Sequence, residues 1–175
     1  MGKRAAQKRD LRRARKKRQH VHDTSEQRGT AELPELSSLD EVPSFSELSY
    51  SARQAEAFEK ICEQYLIRAA RAKKLPFIPY KMGKWWGNNP LIKAQDDVDI
   101  LAFDKTGKKV LLCECKFRNK PMPMEEYDDL VMAAEMFKNA EEKYLMFFSK
   151  SGFTESVKER AVRENAVLLT IEDLY

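Results

Sequence analysis

Two carboxylates and a lysine stand close together in this chain. Asp99 lies in Asp97-Val98-Asp99-Ile100-Leu101, and Glu114 and Lys116 lie in Leu112-Cys113-Glu114-Cys115-Lys116. Phosphodiesters resist hydrolysis because the attacking oxygen must approach an anion. A hard divalent cation neutralises that charge and acidifies a water. Mg²⁺ above all takes oxygen ligands, often only one or two protein carboxylates with water and phosphate completing its shell. Asp99 and Glu114 are candidate ligands on neighbouring strands. Lys116 shares a strand face with Glu114, within ~7 Å along the chain, and could orient water or stabilise a charged transition state. Bare spacing says little in a chain that is 34% charged. The same residues would also suit a solvated hairpin with a Glu–Lys pair. Context argues otherwise: Glu114 sits in Val110-Leu111-Leu112-Cys113-Glu114-Cys115-Lys116-Phe117, which otherwise reads as buried. A charge there is costly unless it is paired or bound to metal.

The elements that must position these residues can be read from periodicity. Ala55, Phe58, Ile61, Cys62, Tyr65, Leu66, Ala69 and Ala70 recur at helical spacing and predict a helix from Ser51 to about Lys73, capped by Ser51 or a neighbour. Pro76 stops it. Leu75 to Met82 reads as an edge strand carrying Pro76 and Pro79, and Gly83 to Pro90 as a loop. Val98–Phe103 and Lys109–Phe117 read as a hairpin around Asp104-Lys105-Thr106-Gly107. In its second strand Leu111, Cys113, Cys115 and Phe117 share a wholly apolar face that a helix must cover. Val110, Leu112, Glu114 and Lys116 share the other. A second helix is expected from Met124 to Ala140, with Leu130, Ala133, Ala134 and Phe137 inward. Lys143–Phe148 follows as a buried strand. A helix capped by Thr154 runs to about Glu164, and Ala166–Thr170 is a last strand. The order predicts an α/β domain with a mixed central sheet.

The chain has 175 residues, enough for one domain with a real core. Its apolar content is 42%, and no apolar run approaches the ~20 residues a membrane helix needs. No apolar leader of the secretory kind opens it. Cys62, Cys113 and Cys115 read as small core residues of a reducing cytoplasm, which makes the expected location cytoplasmic. The net charge of +4 hides an asymmetry. Residues 1–22 carry ten Lys or Arg against the single acid Asp10, so the remainder is mildly acidic. This basic tail is too poor in apolar residues to order itself and could contact phosphates, or it is a solvated leader. His20 and His22 lack the further ligands a metal site needs. Residues 23–48, rich in Ser, Glu, Asp and Pro, read as a linker, and the folded domain is expected over 49–175.

The pattern Asp99…Glu114-Cys115-Lys116 resembles the PD-(D/E)xK nuclease motif, and the element order resembles the αβββαβ restriction-endonuclease-like core of that superfamily. The closer resemblance is to a domain of uncharacterised function found at the C-terminus of prokaryotic, especially archaeal, AAA-type ATPases. It rests on Ala57-Phe58-Glu59, Met82 to Gly87, Asp97 to Ile100, Cys113 to Asn119 and Phe148 to Phe153. The resemblance implies Asp99 and Glu114 as metal ligands, Lys116 as the catalytic lysine and Glu59 as an additional acid. An exposed helix charge is the plainer reading of Glu59. Asp97, one strand period before Asp99, is a less favoured substitute ligand. The 175 residues hold no Gly-x-x-x-x-Gly-Lys-Ser/Thr phosphate loop, so they carry no ATPase module of their own.

Further residues suit nucleic acid. Lys84 beside Trp85 and Trp86 offers a cation with stacking faces, although one Trp is expected in the core. Arg118 and Lys120 extend the basic surface past Lys116. Lys150, in Ser149-Lys150-Ser151-Gly152 ahead of a helix, could meet a phosphate. These readings converge on a Mg²⁺- or Mn²⁺-dependent DNA endonuclease, in which water on the cation attacks phosphorus with Lys116 assisting. The rival is a non-catalytic nucleic-acid-binding or protein-interaction module, or an ATPase-partner subunit, that keeps the fold. Expected partners are DNA, with RNA as the alternative, and an AAA-type ATPase or a second copy of the chain; no membrane association is expected.

Overall fold

A computed structural model describes the backbone of residues 45–175 and the side chains from Tyr50 onward. The basic tail, with His20 and His22, and the linker up to residue 44 lie outside the described residues. Among the described residues the order is α1 (Phe45–Arg71), β1 (Lys81–Asn89), β2 (Ala94–Phe103), β3 (Lys109–Lys116), α2 (Met124–Ala134), β4 (Glu142–Ser149), α3 (Glu155–Glu164), β5 (Val167–Thr170) and a closing 3₁₀ turn, Ile171–Leu174. The expected αβββαβ order is present. The strands form one sheet in the order β1-β2-β3-β4-β5. β1, β2 and β3 pair antiparallel, whereas β3–β4 and β4–β5 pair parallel, so the sheet is mixed.

β3 lies at the centre and its two faces behave as their period of two dictates. Leu111, Cys113 and Cys115 pack with Ile100, Ala102, Met146 and Phe148 beneath Phe58, Cys62 and Leu66 of α1. Those three α1 residues lie four apart, one stripe of a helix. Val110 and Leu112 pack on the other face with Tyr127, Leu130, Ala133 and Ala134 of α2 and Val157 and Ala161 of α3. Tyr127 stacks on Phe147 with ring centroids 4.6 Å apart. A central strand covered on both faces leaves its carboxyl end, Glu114 to Lys116, as the place where polar side chains can gather.

Four expectations need correction. α1 begins at Phe45, inside the stretch assigned to the linker, so Ser51 lies within the helix and not at its N-cap. No helix breaker separates Pro43 from Ser51, and the helix extends back accordingly. The strand expected at 75–82 is instead Lys81–Asn89, and the expected loop Gly83–Pro90 forms most of it. Pairing with β2 overrides the turn preference of Gly and Asn. The glycines serve the strand: the register shifts between Gly83 and Trp85, and a Cβ on Gly87 would lie 2.7 Å from the Trp85 ring. α2 ends at Ala134 rather than Ala140. Beyond it, bonds from Phe137 N–H to Ala134 O and from Ala140 N–H to Phe137 O make tight turns, and Phe137 still packs inward against Trp85 and Phe103. Thr154 stands at the N-cap of α3, but its hydroxyl makes no capping bond and meets Ser156 Oγ instead.

Candidate active site

β2 and β3 pair only from Ile100 opposite Cys113 to Phe103 opposite Val110. Beyond Ile100 the ladder ends, and a side chain takes over. Asp99 Oδ2 accepts the Cys115 N–H at 2.8 Å. The aspartate therefore reaches across to β3 at the residue between Glu114 and Lys116. It is 11% exposed. Backbone amides at such a position must find an acceptor, and here the acceptor is also the candidate metal ligand.

Glu114 and Lys116 extend the Val110–Leu112 face, as the period of two requires. Lys116 Nζ donates to Glu114 Oε1 and lies 3.1 Å from Glu126 Oε2 on α2. Glu126 Oε1 in turn lies 3.0 Å from Arg118 Nη1. The side chains of Lys116, Glu126 and Glu114 are only 9, 13 and 14% exposed. Burial pushes the Glu114 carboxyl up to about 7 from its ordinary 4.5; Asp99 and Glu126 push the same way, and Lys116 opposes them. This charge cluster strains against its surroundings, as groups at functional sites commonly do.

Glu59 and Lys84 flank Asp99 from α1 and β1. Lys84 Nζ is 2.9 Å from Glu59 Oε2 and 3.6 Å from Asp99 Oδ1. Burial raises the Glu59 pKa, and the charge of Asp99 adds to this against the hydrogen bond from Lys84. Burial works to lower the Lys84 pKa, but the bond to Glu59 and the charges of Asp99 and Asp97 outweigh it and carry it above its ordinary value. Asp97 is exposed and acts on this group only through its field.

The other expected contact residues divide. Trp86 is 76% exposed, whereas Trp85 packs edge-on against Phe137 at 5.9 Å and belongs to the core. Lys150 sits beside the end of β3: its N–H donates to Lys116 O at 3.0 Å, its Nζ donates to Asn119 Oδ1 at 2.8 Å, and it lies 4.5 Å over the Phe117 ring. Arg118 is half exposed beside Glu126. Sequence reasoning missed Glu126. The signal was available: it lies in the first turn of the helix that covers the Glu114–Lys116 face.

Among the described residues, no group of three or more His, Cys, Asp or Glu side chains is arranged to hold a metal ion. Glu59 pairs with Lys84, which also lies within ion-pair distance of Asp99. The donor set fits a hard cation held by two carboxylates with solvent or substrate oxygens supplying the rest, the manner of Mg²⁺. A cation there would offset the burial that disfavours the Glu114 carboxylate.

Fold and site together define a mixed-sheet α/β domain with a buried acid–lysine centre at the carboxyl end of its middle strand. The chain belongs to the DUF234 family, archaeal and bacterial proteins of unknown function, whose model matches residues 32–128. That match takes in Glu59, Lys84, Asp99, Glu114, Lys116, Arg118 and Glu126. An uncharacterized protein of Methanocaldococcus jannaschii is 29% identical over 90 residues, which is 50% of this chain. The matched stretch is only 19% of that relative's length. Among solved structures, the chain is similar to a protein of unknown function (TM-score 0.41, 19% identity, 65% of this chain and 64% of the other). It is also similar to a repair endonuclease from Pyrococcus abyssi (TM-score 0.36, 14% identity, 76% and 48%). No described helix is long and apolar enough to cross a membrane.

Proposed function

We propose that the domain is a metal-dependent nuclease of PD-(D/E)xK type that hydrolyses phosphodiester bonds in DNA. The observation that carries this reading is the junction at Cys115. Asp99 reaches its amide, and the part-buried Glu114 and the buried Lys116 flank it on the same strand. Asp99 and Glu114 would hold Mg²⁺ or Mn²⁺, and Lys116 would stand beside them as the donor to the phosphoryl oxygens. When bound, the cation supplies charge neutralisation and an acidified water. The protein's own part is to fix the two carboxylates on the neighbouring strands β2 and β3, hold Lys116 between Glu114 and Glu126, and bring the phosphate to it. Trp86, exposed two residues beyond Lys84, offers a stacking face for an unpaired base.

One observation favours a second reading. Both carboxylates already have a lysine within ion-pair distance, Lys84 for Asp99 and Lys116 for Glu114. A charge-balanced centre of this kind suits a non-catalytic nucleic-acid-binding module. Incubation of linear, nicked and branched DNA with Mg²⁺ or Mn²⁺, beside Asp99→Asn and Lys116→Ala, separates the two. Cleavage lost in both variants is expected. Cleavage that survives both sinks the assignment, and binding without cleavage by the parent protein selects the module.

A further inference from the structure

Glu126 bridges two cations, Lys116 and Arg118, beside the candidate site. One carboxylate oxygen lies 3.1 Å from Lys116 Nζ and the other 3.0 Å from Arg118 Nη1. A phosphodiester presents its two non-bridging oxygens to a pair of cations in the same way. The surroundings support an anion site. Ser149 pairs with Lys116 in the parallel β3–β4 ladder and so shares its face. It is buried, and its hydroxyl has no hydrogen-bond partner. A buried donor left unpaired is costly, and an anion held beside Lys116 is the kind of group that would satisfy it. Glu126 also has somewhere to go. It lies in the first turn of α2, where the helix dipole favours a negative charge even when its cations are taken.

We propose that Lys116 and Arg118 form a phosphate subsite, and that Glu126 occupies it in the free protein as an internal stand-in for the nucleic-acid backbone. The identity of that phosphate rests on the nuclease reading. An entering phosphodiester takes both cations, and Glu126 turns out to the rim. The carboxylate thereby screens the Lys116–Arg118 pair against weakly held anions, so that only a ligand offering further contacts displaces it.

The test is fluorescence anisotropy of the full chain with a labelled DNA duplex, in chelator, across a salt series. Glu126→Gln keeps the shape and removes the charge. It should bind about tenfold tighter, the worth of roughly one charge-assisted hydrogen bond. The slope of log affinity against log salt should steepen by about one, as one further phosphate contact gives. Glu126→Asp, which retains the charge but withdraws it by a methylene, should tighten binding less. Arg118→Gln should cost more affinity in the Glu126→Gln background than in the parent, because only there is the arginine released from its carboxylate. Binding by Glu126→Gln equal to or weaker than the parent, with no coupling to Arg118, overturns the proposal. Tighter binding by Glu126→Gln in a protein that never cleaves with Mg²⁺ retains the subsite and rejects the nuclease. Cleavage that depends on Asp99 and Lys116, without tighter binding, does the reverse.

Discussion

Replacing Glu114 by glutamine should make the domain more stable at pH 8. A carboxyl whose folded pKa stands near 7 rather than 4.5 loses about 3 kcal/mol of stability on ionising, since the unfolded chain gives up its proton far more readily. The sign follows from proton counts. Between pH 4.5 and 7 the folded state holds a proton that the unfolded state has released, so folding stability falls as pH rises through that window. Below it Glu114 is neutral in both states and the contribution is complete; above it the contribution is gone. Glutamine cannot ionise and has no such window. It leaves Lys116 with Glu126 as a partner, the condition the parent already meets when Glu114 is protonated. Urea unfolding in chelator at pH 5 and pH 8 reads the difference. The two proteins should agree closely at pH 5. At pH 8 the variant should be the more stable by up to about 3 kcal/mol, a midpoint shift on the order of 1–2 M urea. Parallel pH profiles for parent and variant would refute the reasoning, because they would mean that Glu114 ionises freely in the fold. So would a parent more stable than the variant at pH 8.

Asp99 tests the same junction through its hydrogen bond. Asp99→Ala strands the Cys115 N–H and should cost about 1–3 kcal/mol, with faster hydrogen exchange at that amide; Asp99→Asn keeps an acceptor and most of the stability while losing any metal-dependent activity. Mg²⁺ should raise the melting temperature of the parent more at pH 8 than at pH 5, because a ligand carboxyl must shed its proton first, and an equal rise at both pH values would count against Glu114 as a ligand. The two tryptophans should separate cleanly: Trp85→Ala opens a hole beside Phe137 and should cost about 3–5 kcal/mol by thermal unfolding, whereas Trp86→Ala should leave stability within about 0.5 kcal/mol and weaken single-stranded DNA binding by about 1–3 kcal/mol in a titration.

How much the sequence foretold depends on how local each signal is. Phe58, Cys62 and Leu66 recur on one side of a helix, and Leu111, Cys113 and Cys115 alternate in a strand. Each pattern states which face is buried whatever the partner. The helix-covered apolar face of β3 and the placing of Glu114 and Lys116 on the opposite face followed from these, and the mixed sheet from the order of the elements; that the covering helix is α1 did not. β1 did not, because Gly83 to Asn89 has the composition of a loop. It becomes a strand only through its ladder with β2, whose register is written in no short window of sequence. The end of α2 was similarly hidden, since Phe137 packs inward from a turn as well as it would from a helix.

The site shows the same division. By itself the sequence determined the chemistry on offer: two strands with Asp99, Glu114 and Lys116, and a charge on Glu114 in a stretch too apolar to leave it idle. Only the tertiary structure decided what those groups do to one another. Because β2 and β3 part at Ile100, Asp99 can turn to the Cys115 amide. The packing of α2 over Val110 and Leu112 sets Glu126 between Lys116 and Arg118. Lys84 on β1 meets Glu59 on α1 and stands between that acid and Asp99. Charges interact through distances in space, and those distances come from packing and pairing between segments far apart in the chain.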